Sequence, residues 1–224
     1  MLDQLKGGLV VSCQPVDGGP MDTPEIIAAM AQAAEIGGAD GVRIEGFENV
    51  AAVRSKVRLP LIGIVKRDLE NTPVRITPFV EDARALMAAG ADIVAVDASD
   101  RWRPDAFEDV VAAVKQEGRL VMADCATFSD AQRVLARGAD IIGTTLSGYT
   151  EETFSRSKAP DLELVRACKT LDCFVMAEGR YNTPDLAAQA LAAGADCVTV
   201  GSALTRLEHM VNWFAAPLKA AGER

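Results

Sequence analysis

Short apolar runs alternate with longer amphipathic, alanine- and leucine-rich stretches along almost the whole chain. The runs are Gly8 to Gln14, Gly41 to Glu45, Leu61 to Lys66, Ile93 to Asp97, Leu120 to Cys125, Ile141 to Leu146, Cys173 to Glu178 and Cys197 to Gly201. Their length and branched-residue content are those of strands buried on both faces. Between them the apolar positions recur at helical spacing. Strand and helix therefore alternate, the pattern of a parallel sheet with helices packed outside it.

A repeat organises this alternation. Gly-Ala-Asp recurs as Gly38-Ala39-Asp40, Gly90-Ala91-Asp92, Gly138-Ala139-Asp140 and Gly194-Ala195-Asp196, each time between an amphipathic stretch and an apolar run. Each glycine can take the left-handed conformation that ends a helix. The preceding helices are expected to start at Thr23-Pro24, Thr77-Pro78, Ser129-Asp130 and Thr183-Pro184, starts that are 54, 52 and 54 residues apart. Threonine as N-cap and proline as first helical residue form a helix-start signal. A βα unit takes about 25 to 30 residues, so each period holds two units and four periods hold eight. The fold class expected is α/β, a single (β/α)8 TIM barrel over residues 1–224. A doubly wound open sheet is the alternative, weakened because no glycine-rich dinucleotide fingerprint opens the chain. The long connections Arg67 to Thr77 and Ser147 to Pro160 follow the third and sixth strands, at the face where such barrels carry function.

Composition narrows the picture. Apolar residues are 49% and aromatics 5%, which suits small, branched packing. A net charge of −9 without any run of Lys or Arg argues against nucleic acid as a partner but leaves room for a small anion in a local pocket. The odd count of five cysteines, with no CxxC pair, and the lack of an apolar leader point to the cytoplasm. No apolar run approaches the ~18 residues of a membrane span.

The chemistry lies where the strands end: Gln14, Arg43 with Glu45, Lys66, Asp97, Asp124, Thr144 with Thr145, Glu178, and Gly201 with Ser202. A barrel would gather these side chains at one mouth. Lys66, flanked by a barrel core, would lose proton affinity and serve as a base or as a Schiff-base amine. Glu178 is placed for acid–base work or for an ion pair with Arg180 or Lys66. Gly201-Ser202 before a helix, with Arg180 and Arg206 near, would attract an anion. Asp97 and Asp124 could orient Lys66, accept hydrogen bonds from a sugar, or hold a metal. A histidine-rich metal site cannot form, because His209 is the only histidine. A sugar-phosphate sensor and a class I aldolase-like enzyme remain rival readings.

The runs Val11-Ser12-Cys13-Gln14, Gly63-Ile64-Val65-Lys66-Arg67-Asp68, Met122-Ala123-Asp124-Cys125, Gly143-Thr144-Thr145-Leu146-Ser147-Gly148-Tyr149-Thr150, Ala177-Glu178-Gly179-Arg180-Tyr181-Asn182-Thr183-Pro184 and Thr199-Val200-Gly201-Ser202-Ala203-Leu204-Thr205-Arg206 resemble the N-acetylmannosamine-6-phosphate 2-epimerase family, in order and nearly end to end. The resemblance implies a TIM-barrel isomerase of amino-sugar and sialic acid breakdown. It would interconvert N-acetylmannosamine 6-phosphate and N-acetylglucosamine 6-phosphate without cofactor or metal. It implies Lys66 and Glu178 as catalytic residues. Gln14, Arg43, Asp124 and Thr145 would bind the sugar or its N-acetyl group. Gly179, Arg180, Gly201, Ser202 and Arg206 would lie near the phosphate. One departure stands out: the family usually has Ile-Arg-Ala-Asn where this chain has Val42-Arg43-Ile44-Glu45, and Glu45 is expected to pair with Arg43. The resemblance also implies a homodimer. The final segment, helical from Ala203 to Leu218 with Leu207, Met210, Val211, Trp213, Phe214 and Leu218 on a broad apolar face, is either its interface or the barrel's last packed helix.

Overall fold

A computed structural model describes residues 1–154, 157 and 159–222. In chain order the elements are α1 (Leu2–Leu5), β1 (Leu9–Ser12), α2 (Pro24–Ile36), β2 (Gly41–Glu45), α3 (Phe47–Arg54), β3 (Leu61–Ile64), α4 (Val80–Ala88), β4 (Ile93–Asp97), α5 (Phe107–Gln116), β5 (Leu120–Asp124), α6 (Phe128–Leu135), β6 (Ile141–Gly143), α7 (Leu162–Lys169), β7 (Phe174–Glu178), α8 (Pro184–Ala192), β8 (Cys197–Val200), α9 (Ser202–Thr205) and α10 (Leu207–Gly222). Each strand pairs in parallel with the next, and β8 closes on β1. The fold is a (β/α)8 TIM barrel.

The period-two alternation of the strands splits the core in two. Val10, Ile62, Ile64, Ile93, Ala95, Met122, Ile141, Met176 and Cys197 fill the barrel interior. Val11, Val42, Ile44, Val94, Val96, Val121, Ala123, Val175 and Val198 face outward against the helices. Adjacent residues on a strand point to opposite faces, so a strand with both faces covered reads as an unbroken apolar run. That is why the runs were visible without alternation.

The Gly-Ala-Asp repeat builds the end of the barrel opposite the mouth. Gly38, Gly90, Gly138 and Gly194 all have φ between 91° and 109°, the left-handed turn expected of them. The aspartates that follow are structural in a way the repeat alone did not show. Each carboxylate accepts a backbone N–H from the first or second residue of the preceding odd strand. Asp40 takes Leu9 N at 2.9 Å, Asp92 takes Leu61 N at 3.0 Å, Asp140 takes Val121 N at 2.7 Å and Asp196 takes Val175 N at 2.8 Å. Gly8 is glycine because a Cβ there would lie 2.4 Å from Asp40 Oδ2.

Several boundaries differ from expectation. Gln14, Lys66, Cys125, Leu146 and Gly201 lie beyond their strands. Thr23 and Thr183 cap their helices as expected. Thr77 does not: it is buried with φ 45°, donates to Ala95 O at 2.7 Å and accepts from Val65 N at 3.3 Å. There α4 begins at Val80, whose N–H is taken by Asp105 from the next loop. In the third copy the cap is Thr127, not Ser129, and Asp130 completes a capping box. The terminal segment is two helices. Thr205 Oγ1 bonds Ser12 O and Arg206 Nε bonds Gln14 O, which tethers α9 to β1 and turns the chain before α10 starts.

Candidate active site

Counting by two from the interior residues reaches the mouth. Val10 leads to Ser12 and Gln14, Gly41 to Arg43 and Glu45, Ile64 to Lys66, Ala95 to Asp97, Met122 to Asp124, Gly143 to Thr145, Met176 to Glu178, and Cys197 to Thr199 and Gly201. The sheet pleat thus aims the polar residues at the strand ends along the barrel axis. Most of them surround a cavity of about 470 Å³. Gln14, Lys66, Thr145, Glu178, Gly179, Arg180, Gly201, Ser202 and Arg206 all line it.

Arg43 and Asp124 do not line it; they lie beneath. Arg43 is 1% exposed and Asp124 is fully buried. They form a forked pair, Nη1 to Oδ1 at 3.1 Å and Nη2 to Oδ2 at 2.6 Å. Arg43 Nη1 also donates to Glu178 Oε2 at 2.9 Å, and Thr145 Oγ1 donates to Asp124 Oδ1 at 2.6 Å. The two residues expected to touch substrate are thus joined with Glu178 in one buried network. Gly143 makes room for this arrangement, since a Cβ would meet Asp124 Oδ1 at 3.1 Å and Met122 Cε at 2.5 Å.

One guanidinium thus faces two carboxylates. Burial disfavours the charge on Arg43, but Asp124 and Glu178 hold its proton more tightly than usual. Glu178 feels this burial as well. Burial, assisted by Asp124, pushes its carboxyl up to about 7 against the opposing pull of Arg43, Thr145 and Lys66. Its side chain remains 15% exposed and so reaches the cavity. It pairs with Arg43, not with Arg180 or Lys66.

Lys66 enters from the far side of the ring. With eight strands in order, β3 and β7 stand diametrically opposite. The chain after Lys66 makes a hairpin excursion pinned by the Lys66–Ile76 bridge. Burial lowers the proton affinity of Lys66; Asp17 and Glu45 oppose that and Arg206 and Arg43 add to it. Its ammonium makes no hydrogen bond or ion pair with any described residue. Glu45 does not pair with Arg43: its Oε1 accepts the backbone N–H of Lys66 at 3.2 Å.

Two further arginines close the mouth near β7 and β8. Arg180 has φ 63°, a strained backbone for a non-glycine residue. It bonds Ser147 O at 2.8 Å and Ala159 O at 2.7 Å and stacks over Tyr149 at 5.3 Å. Arg206 is held by Gln14 O through Nε alone, at 3.0 Å. Gln14 Nε2 donates to Ser12 Oγ at 2.8 Å.

Sequence reasoning missed Ser12, Thr199, Pro73, Arg75, Arg101, Tyr149 and Asn182, all on the cavity wall. Ser12 and Thr199 were readable from period-two counting. Arg75 and Arg101 come from loops, where no periodicity points inward. Arg101 is fixed by Asp97 at 2.8 Å and Ser99 at 2.6 Å. The wall carries five cationic side chains (Lys66, Arg75, Arg101, Arg180 and Arg206) against two carboxylates, Asp97 and Glu178. Within a chain of net charge −9 the cavity gathers a local excess of positive groups, which favours an anionic ligand. Among the described residues no cluster of His, Cys, Asp and Glu is arranged to hold a metal.

Comparison with known proteins places the chain in a family. Residues 27–220 match the family model described as "Putative N-acetylmannosamine-6-phosphate epimerase". A protein of Photobacterium profundum named as such a 2-epimerase is 56% identical over 220 residues, covering 98% of this chain and 93% of its own length. One from Actinobacillus pleuropneumoniae serotype 5b is 56% identical over 221 residues, covering 99% and 96%. The solved N-acetylmannosamine-6-phosphate 2-epimerase of Clostridium perfringens superposes with a TM-score of 0.93 at 36% identity, covering 96% of this chain and 95% of that one. The chain belongs to the N-acetylmannosamine-6-phosphate 2-epimerase family, an isomerase family.

Proposed function

We propose that this enzyme interconverts N-acetylmannosamine 6-phosphate and N-acetylglucosamine 6-phosphate by moving the proton on C2. The observation that carries this reading is the facing pair. Lys66 and Glu178 project into one cavity from opposite strands, the amine easier to deprotonate than usual and the carboxyl harder. A neutral amine and a protonated carboxyl are the pair that enolisation needs near neutral pH.

The reaction starts with ring opening. The Glu178 carboxyl gives its proton to O5 as the C1–O5 bond breaks and takes the O1 proton in exchange, so it ends protonated. C2 is then α to an aldehyde. Neutral Lys66 removes the C2 proton and becomes an ammonium. The electron pair moves into the C1–C2 bond, and O1 takes a proton from the Glu178 carboxyl. Return of the O1 proton to Glu178, delivery of a solvent-derived proton to the other face of planar C2 and loss of the Lys66 ammonium proton to solvent give the epimer and restore the enzyme. No electrons are gained or lost, so a redox cofactor has no part in it. Arg206, Arg180, Gly201 and Ser202 take the phosphate, and Gln14 and Thr145 the sugar. Arg43 and Asp124 act through Glu178, setting its position and its proton affinity. NMR of the purified protein with N-acetylmannosamine 6-phosphate in D2O tests this. The expected result is appearance of the gluco epimer with deuterium at C2; no conversion would overturn it.

The working form is proposed to be a homodimer built on the terminal helix. No residue of α10 is buried, and Leu207, Val211, Phe214 and Leu218 are exposed. An apolar groove of about 600 Å³ beside it, lined by Leu9, Pro184, Leu191, Val198, Leu204 and Met210, lies where a barrel helix would pack. A second copy's α10 supplies the missing cover. Phe214→Glu is expected to give monomers in sedimentation analysis where the wild type sediments as a dimer. The five free thiols suit a reducing cytoplasm, and no described helix is long and apolar enough to cross a membrane.

A further inference from the structure

Thr199 stands on β8, in register with Glu178 of β7 and Val10 of β1 and two residues before Gly201. Its side chain lines the mouth cavity and is 2% exposed, yet its hydroxyl makes no hydrogen bond to any described residue. The neighbouring hydroxyls differ. Thr77 donates to Ala95 O, Thr144 to Glu178 O, Thr145 to Asp124 and Thr205 to Ser12 O. Each of those is explained by the fold. Thr199 is not: valine has the same shape and would fill the position without a buried, unpaired polar atom. The hydroxyl is therefore kept for something that enters the cavity.

Its place on the wall says what. Along the strand it precedes the Gly201-Ser202 turn, about 7 Å further up at the strand rise per residue. Across the sheet it neighbours Glu178. A sugar phosphate with its phosphate at Gly201-Ser202 and its C2 between Lys66 and Glu178 lays its intervening hydroxylated carbons over Thr199. We propose that the Thr199 hydroxyl is a substrate-binding group, hydrogen-bonded to a sugar oxygen between the phosphate end and C2. This rests on the epimerase reading. Such a contact holds the chain of carbons at fixed height, so that C2 meets Lys66.

The test compares wild type, Thr199→Val and Thr199→Ser in the D2O assay, with thermal melts of each. Thr199→Val should lower kcat/KM roughly tenfold, mostly through KM, as loss of one uniform binding contact does. Its Tm should equal or exceed that of wild type, because no protein partner is lost. Thr199→Ser should recover most of the activity. An active wild type matched by Thr199→Val overturns the proposal and leaves the epimerase reading standing. So does a loss of activity that tracks a fall in Tm, which marks a packing role. A displaced pH limb near 7 with unchanged KM also overturns it, since the hydroxyl would then act through Glu178. An inactive wild type removes the epimerase reading, and the proposal with it.

Discussion

The two ends of the barrel use the same residue type for opposite ends. At the closed end Asp40, Asp92, Asp140 and Asp196 each receive a strand N–H, and surface cations stand beside three of them: Arg54 and Arg119 on Asp92, Lys115 on Asp140, Lys169 on Asp196. At the mouth Asp124 and Glu178 share one buried arginine, and Lys66 has no partner among the described residues. The closed end satisfies its charges; the mouth leaves them in surplus. Charges with partners stabilise a fold, whereas charges in surplus are desolvated and shift their proton affinities, which is what acid–base chemistry requires. Activity and stability should therefore separate by end.

The largest separation is expected at Lys66. Lys66→Met should lower kcat by roughly 10³-fold or more and abolish deuterium uptake at C2. The fold binds the Lys66 proton less tightly than the unfolded chain does, for which the value is about 10.4. Its contribution is favourable above that pH and is lost as pH falls through the lowered value in the fold. At pH 7 holding this lysine in the barrel is thus a cost, and the variant should melt at or above the wild-type temperature. A lower Tm would break the contrast.

Glu178→Gln should follow, with a loss of about 10²-fold to 10³-fold in kcat. The log kcat/KM profile of the wild type should bend near 7, where Glu178 titrates, and the bend should vanish in the variant. The stability sign is again specific. A raised carboxyl value gives stability that is complete below about 4.3, the ordinary value, and lost as pH rises through about 7. Relative to wild type, then, the variant should gain stability from pH 5 to pH 8 in thermal melts.

The smallest expected effect lies at the closed end. Asp196→Ala removes the acceptor of Val175 N at 2.8 Å and the partner of Lys169 at 2.7 Å. Lys169 is 40% exposed, so most of the loss is the unpaired strand N–H, about 1–3 kcal/mol. That corresponds to a Tm roughly 2–10 °C lower, with kcat unchanged in assays below the melt. A kcat that falls with Asp196→Ala would show the two ends to be coupled.

Much of this was legible in the chain because its signals are local. Strands covered on both faces must be apolar, helices must be amphipathic, and a left-handed turn calls for glycine, so eight units and their order follow from the alternation and the Gly-Ala-Asp repeat. Lys66 and Glu178 stood out as charges ending apolar runs, and family resemblance supplied the sugar. Helix starts were harder to place where a cap came from elsewhere: Thr77 was drawn into the joint between β3 and β4, and Asp105 reached over to serve α4.

What only the tertiary structure decided is which charge meets which. Arg43 and Asp124 are 81 residues apart, and Arg43 and Glu178 are 135 apart. Pairings over such distances depend on barrel closure, which sets β2, β5 and β7 around one axis, and on how deep each side chain sits. Depth set Arg43 and Asp124 beneath the cavity in one network with Glu178, and it turned Glu45 toward the Lys66 backbone. It also left the Thr199 hydroxyl buried and without a protein partner. The sequence alone determined that a lysine and a glutamate would stand at the mouth of a barrel. Closure and burial, which depend on distance in space, determined that they face each other with displaced proton affinities.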